Sequence, residues 1–218
     1  MTETKGIKLP FYTLSEELIN SISHGFGAVL GIVAVVLCVI KSIGSAMAVV
    51  CSAIYGGSMI ILYMMSTMYH ALKRNRAKKV FRVIDHCSVY LLIAGTYTPY
   101  TLVGLGGAIG WVLFGIVWAA AIVGITLNAV SLSKFKIFSM ITYIAAGWVI
   151  VIAMKPLIDS IAFTGVLYLL LGGLAYTLGA VLYMVSKKKN LKYGHSVFHI
   201  FVLLGSLLHF FSIYFYVI

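Results

Sequence analysis

His195 and His199 stand one helical turn apart at the start of the last apolar stretch of this chain. Ser66 and His70 repeat that spacing at the end of the second. An i,i+4 pair presents both side chains to one face of a helix. Polar groups inside a membrane span are costly, about 2.5–3.5 kcal/mol each when charged, and they mark function by default. Neutral imidazole is the commonest protein ligand of zinc, so the HxxxH pair can give two ligands to one ion and His70 a third. Three protein ligands leave a fourth position open to water, the pattern of catalytic rather than structural zinc. A dication held by neutral rings needs a counter-charge. The acidic residues are only Glu3, Glu16, Glu17, Asp85 and Asp159, and Asp85 alone sits at the end of an apolar stretch beside these histidines. It suits a proton acceptor for water or a water-bridged metal contact. Ser66, one turn before His70, suits a hydrogen bond to that water or to a substrate oxygen. Imidazole also suits iron, copper and nickel, which leaves the metal open on ligand type alone.

The elements that must hold these residues are membrane spans. The 218-residue chain is 62% hydrophobic and 10% charged, with a mean hydropathy of +1.07; a soluble domain carries roughly 25% charged residues. A span needs about 20 mostly apolar residues. Seven stretches meet that need, at 25–43, 46–70, 83–103, 108–130, 137–155, 161–185 and 195–217. The expected fold is an all-α, seven-transmembrane helix bundle. The net charge of +11 invites a nucleic-acid reading, but the basic residues lie in short loops flanking the apolar runs. Fourteen of the sixteen fall on the side of the N-terminus and of loops 2–3, 4–5 and 6–7; only Lys41 and Lys155 fall on the other. The positive-inside rule then puts the N-terminus in the cytoplasm and the C-terminus outside. Nucleic acid is not an expected partner; membrane lipids are. Cys38, Cys51 and Cys87 are scattered and odd in number, which fits neither a disulfide framework nor a thiolate metal site. The first apolar run follows Glu16 and Glu17 and precedes further spans, which does not read as a cleaved signal.

Residues 1–24 read as a cytoplasmic N-terminal segment, and 25–218 as the transmembrane domain. Thr13-Leu14-Ser15-Glu16 has the form of a capping box, and 13–24 alternate at helical spacing, which predicts a short interfacial helix before the first span. Gly27 and Gly31 have the spacing that lets helices approach closely. Pro99 is expected to kink the third span. With this orientation, His24 opens span one, Ser66 and His70 close span two, Asp85 and His86 open span three, and His195 and His199 open span seven. Four helices thus bring polar residues to one depth near the cytoplasmic boundary. His24 by itself reads as an interfacial polar residue. His86 points about 100° away from Asp85 around the helix, and His209, about 15 Å along its helix from His199, is out of reach of that metal.

Four motifs in this order resemble a known family. They are Glu17-Leu-Ile-Asn20-Ser-Ile-Ser-His24, Ser66-Thr-Met-Tyr-His70, the run from Asp85-His86 to Pro99, and His195-Ser-Val-Phe-His199. The chain resembles the haemolysin III-like bacterial members of the progestin and adipoQ receptor family. That family belongs to a wider superfamily of seven-span membrane proteins regarded as hydrolases, alkaline ceramidases among them. The resemblance implies zinc held by His70, His195 and His199, with Asp85 and Ser66 beside it. It implies motif roles for Glu17, Asn20, His24 and His86, the same N-in, C-out topology, and a multi-pass place in the bacterial plasma membrane. Receptor members carry a larger cytoplasmic N-terminal region, which this chain lacks. Three functions follow as expectations. The first is zinc-dependent hydrolysis of a lipid amide or ester. The second is a sensor of membrane lipid state with a structural zinc. The third is a pore-forming haemolysin, against which stand spans too apolar to line a wide aqueous channel.

Overall fold

The computed structural model describes residues 9–218, which form an all-helical bundle without strands. Lys5 and Lys8, counted above in the charge balance, lie outside the described residues. Helix α1 runs from Leu14 to Lys41. Its capping box is formed: the Thr13 hydroxyl accepts from the Glu16 backbone N–H at 3.3 Å, and the Thr13 backbone N–H donates to the Glu16 carboxylate at 2.8 Å. The expected interfacial helix and first span are one continuous helix, because no proline or turn interrupts it and its glycines are separated by apolar packing residues. Helix α2 spans Ala46–Ala71 and α3 spans Arg76–Pro99. After Pro99 the helix widens into a π-helical segment, Tyr100–Leu105. Helix α4 is Gly107–Ser131. Helix α5, Lys136–Trp148, passes through a 3₁₀ turn at Val149–Ala153 into the short α6, Met154–Ser160. Helix α7 is Phe163–Lys188, and α8, Gly194–Ser212, ends in a second π-helical segment, Ile213–Val217.

Among the described residues, six helices are long and apolar enough to cross a membrane: α1, α2, α4, the α5–α6 pair, α7, and α8 with its extension. The sequence predicts seven. The exception is α3, whose first turns carry Arg76, Lys78, Lys79, Arg82, Asp85 and His86, and these lower its hydropathy although its length suffices.

The packing is inside-out relative to a soluble protein. Leu18, Ile22, Phe26, Val29, Ile32 and Val36 of α1 are exposed, while its buried stripe is Asn20, His24, Gly27, Gly31, Ala34 and Cys38. The small residues matter because lipid tails give no hydrophobic reason for helices to associate, so close packing must hold them. A methyl group at Gly27 would lie 2.7 Å from both Tyr63 and Leu203. Helix α8 therefore reaches α1 and α2 across this stripe, and with it the last histidine pair meets the first two helices.

Candidate metal centre

The three histidines converge. His70 comes from the end of α2, and His195 and His199 from the first turns of α8. His195 Nε2 lies 3.2 Å from His70 Nε2 and 3.2 Å from His199 Nε2. Two zinc–nitrogen bonds of tetrahedral geometry hold their nitrogens about 3.3 Å apart. The outer ring nitrogens fix the tautomers. His70 Nδ1 faces the Glu17 carboxylate at 2.7 Å, and His199 Nδ1 faces the Asn20 backbone carbonyl at 3.3 Å. Both Nδ1 atoms therefore carry the proton, and both Nε2 atoms turn a lone pair toward His195. His195 Nε2 has at most one proton to give when neutral. At least one of the two 3.2 Å contacts then sets lone pair against lone pair, unless a cation lies among the three. The donor set fits a divalent metal such as zinc.

Helix α1 supplies the scaffolding. Ser196 donates to Asn20 Oδ1 at 2.6 Å. Glu17 is shared with Lys78, whose Nζ donates to Glu17 Oε1 at 2.6 Å and to the Leu72 carbonyl at 2.9 Å. Lys78 is 2% exposed. Sequence reading counted it only as a loop charge and missed its role. Its spacing of seven from Asp85, which puts the two on one face of α3, was the available signal. Ser196 and Tyr12 were also missed. Tyr12 stacks on His195, ring centroids 5.2 Å apart. The chain before it is tied down by Arg74, which donates to the Pro10 carbonyl at 2.8 Å and the Leu9 carbonyl at 3.2 Å. Burial pushes the Tyr12 phenol well above its usual pKa, with Tyr183 and Tyr69 adding to the shift and Arg82 opposing it.

The other expected residues gather on the opposite side of the histidines. A cavity of about 230 Å³ is lined there by His24, Ser66, Asp85, His195 and His199. It runs between α1, α2, α3, α5, α7 and α8, mostly along apolar side chains, as far as His209. On α8 that distance from His199 is about 15 Å. The Ser66 hydroxyl is buried and makes no hydrogen bond. His24 is no interfacial residue: it is 3% exposed and lies face to face with His199, centroids 3.5 Å apart, with both nitrogens unpartnered. His86 also departs from expectation, since its Nδ1 comes within 3.6 Å of Asp85 Oδ2 while donating to the Arg82 carbonyl at 2.9 Å. Side-chain torsions close the angular gap between neighbours on the helix. His209 stays outside the centre, hydrogen-bonded through Nε2 to the Leu169 carbonyl at 3.1 Å.

Six apolar helices and a three-histidine cluster, with His70 and His199 buried and His195 partly so, define a multi-pass helical membrane protein with a candidate metal centre. Residues 12–210 match the model of the Haemolysin-III related family, and the chain belongs to that family. It is 41% identical over 207 residues to Hemolysin-3 of Bacillus cereus, covering 94% of this chain and 93% of that one. It is 39% identical over 207 residues to the Hemolysin-3 homolog of Bacillus subtilis (strain 168), covering 94% and 96%. With these bacterial relatives, the apolar helices identify a protein of the cell membrane.

Proposed function

We propose that the chain is a zinc-dependent hydrolase acting on a lipid amide or ester. The observation that carries this reading is the pairing of three imidazole Nε2 atoms, 3.2 Å apart in sequence around His195, with a largely apolar cavity that His195, His199, Asp85 and Ser66 line. A zinc ion held by His70, His195 and His199 supplies Lewis-acid activation of a carbonyl and of water at neutral pH. Asp85 faces the same space and takes the proton that attack by water releases. Ser66 holds the substrate carbonyl or the attacking water by a hydrogen bond. The apolar length of the cavity receives a hydrocarbon chain and keeps bulk water from it.

The topology that goes with this reading has seven spans. Helix α3 joins the six apolar ones because its Lys78 and Asp85 are buried inside the bundle rather than turned to lipid. The N-terminus is then cytoplasmic and the C-terminus outside, from the charge balance of the loops.

The test is metal content and lipid turnover of purified protein. Wild type is expected to hold one zinc per chain and to release fatty acid from ceramide-like or ester lipids. His70→Ala and His199→Ala should lose the metal, and His195→Ala the turnover. Equal metal content in all of them would remove the basis of the reading. A second reading, a lipid-state sensor with structural zinc, draws on one observation: the three ligands come from two helices far apart in sequence, so a metal also ties α2 to α8. Loss of the fold on chelation would favour it.

A further inference from the structure

The far end of the cavity carries a buried histidine that the metal centre does not use. His209 is 7% exposed and lines the cavity together with Tyr100 and Tyr176. It lies about 15 Å from His199 along α8, and Tyr100 lies about 22 Å from Asp85 along α3. Both therefore stand at the end remote from the metal centre. The ring of His209 is held by α7. Its Nε2 donates to the Leu169 carbonyl at 3.1 Å, and its Cδ2–Nε2 edge lies against Gly172, where a methyl group would run into both atoms. Nε2 thus carries the proton, and Nδ1, on the opposite edge, holds a lone pair. Among the described residues that buried Nδ1 has no hydrogen-bond partner. Its neighbours are engaged elsewhere. The Tyr176 ring stands edge-on to His209, centroids 5.3 Å apart, but its hydroxyl is 2.7 Å from that of Ser206. Ser212 gives its proton to the Gly165 carbonyl at 2.6 Å. The Tyr100 hydroxyl lies beside Ser212, yet it too is buried without a hydrogen bond of acceptable geometry.

A polar side chain deep in a membrane span is costly and marks a site by default, and a buried acceptor left unpaired adds to that cost. The cavity gives a ligand access to this one, and the chemistry of Nδ1 selects the ligand group. A lone pair needs a donor, so a ketone, ester or ether oxygen fails. An ammonium group is a donor, but among the described residues Asp85, at the other end, is the only carboxylate in the cavity wall. A cation beside His209 would be buried without a counter-charge. A hydroxyl group suits both partners: it donates to Nδ1 and accepts from the phenol of Tyr100.

We propose that His209 and Tyr100 form a hydroxyl-binding site at the far end of the cavity, and that the lipid entering it carries a hydroxyl group at or near the end of its hydrocarbon chain. With the lipid carbonyl at the metal centre, the distance of about 15–20 Å to His209 corresponds to roughly 12–17 bonds of extended chain, at about 1.2 Å per bond. Val89, Leu92 and Ile93 of α3 and Val202 of α8 line the stretch between with apolar surface. The inference rests on reading this cavity as the lipid site, and it narrows the substrate from lipids in general to those with a hydroxylated chain.

The experiment measures binding to the full chain in detergent by calorimetry, with hexadecanoic, 16-hydroxyhexadecanoic and 3-hydroxyhexadecanoic acids as probes. These acids have no ester or amide bond, so binding is read apart from hydrolysis. The quantity compared between proteins is the affinity of each hydroxylated acid relative to hexadecanoic acid, which cancels their different solubility in detergent. For the 16-hydroxy acid this ratio is expected to be about tenfold higher in wild type than in His209→Leu, and about threefold higher than in Tyr100→Phe. Both variants should still bind hexadecanoic acid, which shows that they are folded. If His209→Leu does not fold, Tyr100→Phe carries the test, since it removes one oxygen that makes no hydrogen bond in the protein. Tyr183→Phe, which removes a phenol from the metal end of the same cavity, should keep the ratio. A ratio equal in wild type, His209→Leu and Tyr100→Phe, or an equal loss in Tyr183→Phe, overturns the site and leaves Nδ1 to a water. A 3-hydroxy acid favoured as much as the 16-hydroxy acid overturns its placement at the far end. No saturable binding of any acid overturns the lipid reading of the cavity together with this one. The full ratio in protein that hydrolyses no lipid leaves this site standing and sinks the hydrolase reading alone.

Discussion

Glu17 holds two partners at once, the ring of His70 at 2.7 Å and the ammonium of Lys78 at 2.6 Å. The first contact keeps His70 in the tautomer whose Nε2 lone pair points at the metal position, and such outer partners are worth about 10–100-fold in metal affinity. Glu17→Gln is therefore expected to weaken zinc binding by about that factor, read by competition with a chromophoric chelator, with the helical content unchanged. Unaltered affinity would make the Glu17–His70 contact incidental. The second contact is an ion pair with Lys78 buried and the Glu17 side chain 17% exposed, and removing one member of such a pair costs at most about 3–5 kcal/mol because the other is left uncompensated. Lys78→Met should lower thermal stability markedly. Glu17→Gln/Lys78→Met should lose less than the sum of the two single changes, since the second substitution removes the stranded charge. These two residues also show what a sequence discloses at this scale. Glu17 was visible as part of a motif and the histidines as metal ligands by type. Lys78 was hidden among six basic residues between 73 and 82, because nothing in a basic loop says which one turns inward.

Close packing of α1 on α2 sets the distance between Glu17 and Asn20 on one helix and His70 on the other. A methyl group at Gly56 would meet the Val35 side chain and lie 2.7 Å from its Cα, whereas one at Gly57 meets nothing within 4 Å. Backbone cannot step aside as a side-chain tip can, so Gly56→Ala should cost about 1–3 kcal/mol, lower the melting temperature and weaken metal binding with it. Gly57→Ala, the neighbouring control, should leave both unchanged; matching losses in the two would show that helix spacing is not what Gly56 provides. The helices themselves were legible from apolar runs, with ends mostly within a few residues. The continuity of α1 was not, since charged Glu16 and Glu17 and the polar Asn20 and His24 mimic a headgroup-level segment when in fact they face inward. Pro99 was legible as a breaker, but whether a freed turn kinks or widens into a π-helix depends on neighbours such as Trp118, which donates to the Thr98 hydroxyl at 3.1 Å. The fifth span's division at Val149–Ala153 has Gly147 just before it and Pro156 just after it, but no such residue within it. Tyr97 makes it: its hydroxyl accepts from the Ile150 N–H at 3.0 Å and donates to the Gly147 carbonyl at 2.9 Å.

At the scale of the whole molecule, the question is whether a metal builds the bundle or only arms it. The centre joins α2 to α8, so metal loss removes one tie between them. Other ties remain in its absence. Tyr63 of α2 donates to Ser206 of α8 at 2.6 Å, Ser196 of α8 bonds Asn20 of α1, and the Tyr193 N–H reaches Glu16 at 2.8 Å. His24 stacks on His199. Structural zinc sites in small domains supply the folding energy outright, whereas here most of it comes from long helices and close contacts such as Gly27 with Tyr63 and Leu203. Chelation with a strong zinc ligand is therefore expected to abolish lipid turnover while leaving the far-ultraviolet dichroism helical. The melting temperature should fall only in part, and restored zinc should return activity without a refolding step. A cooperative loss of helix on chelation, or zinc that returns the fold only from the denatured state, would instead mark a structural centre and shift the reading from hydrolase to sensor.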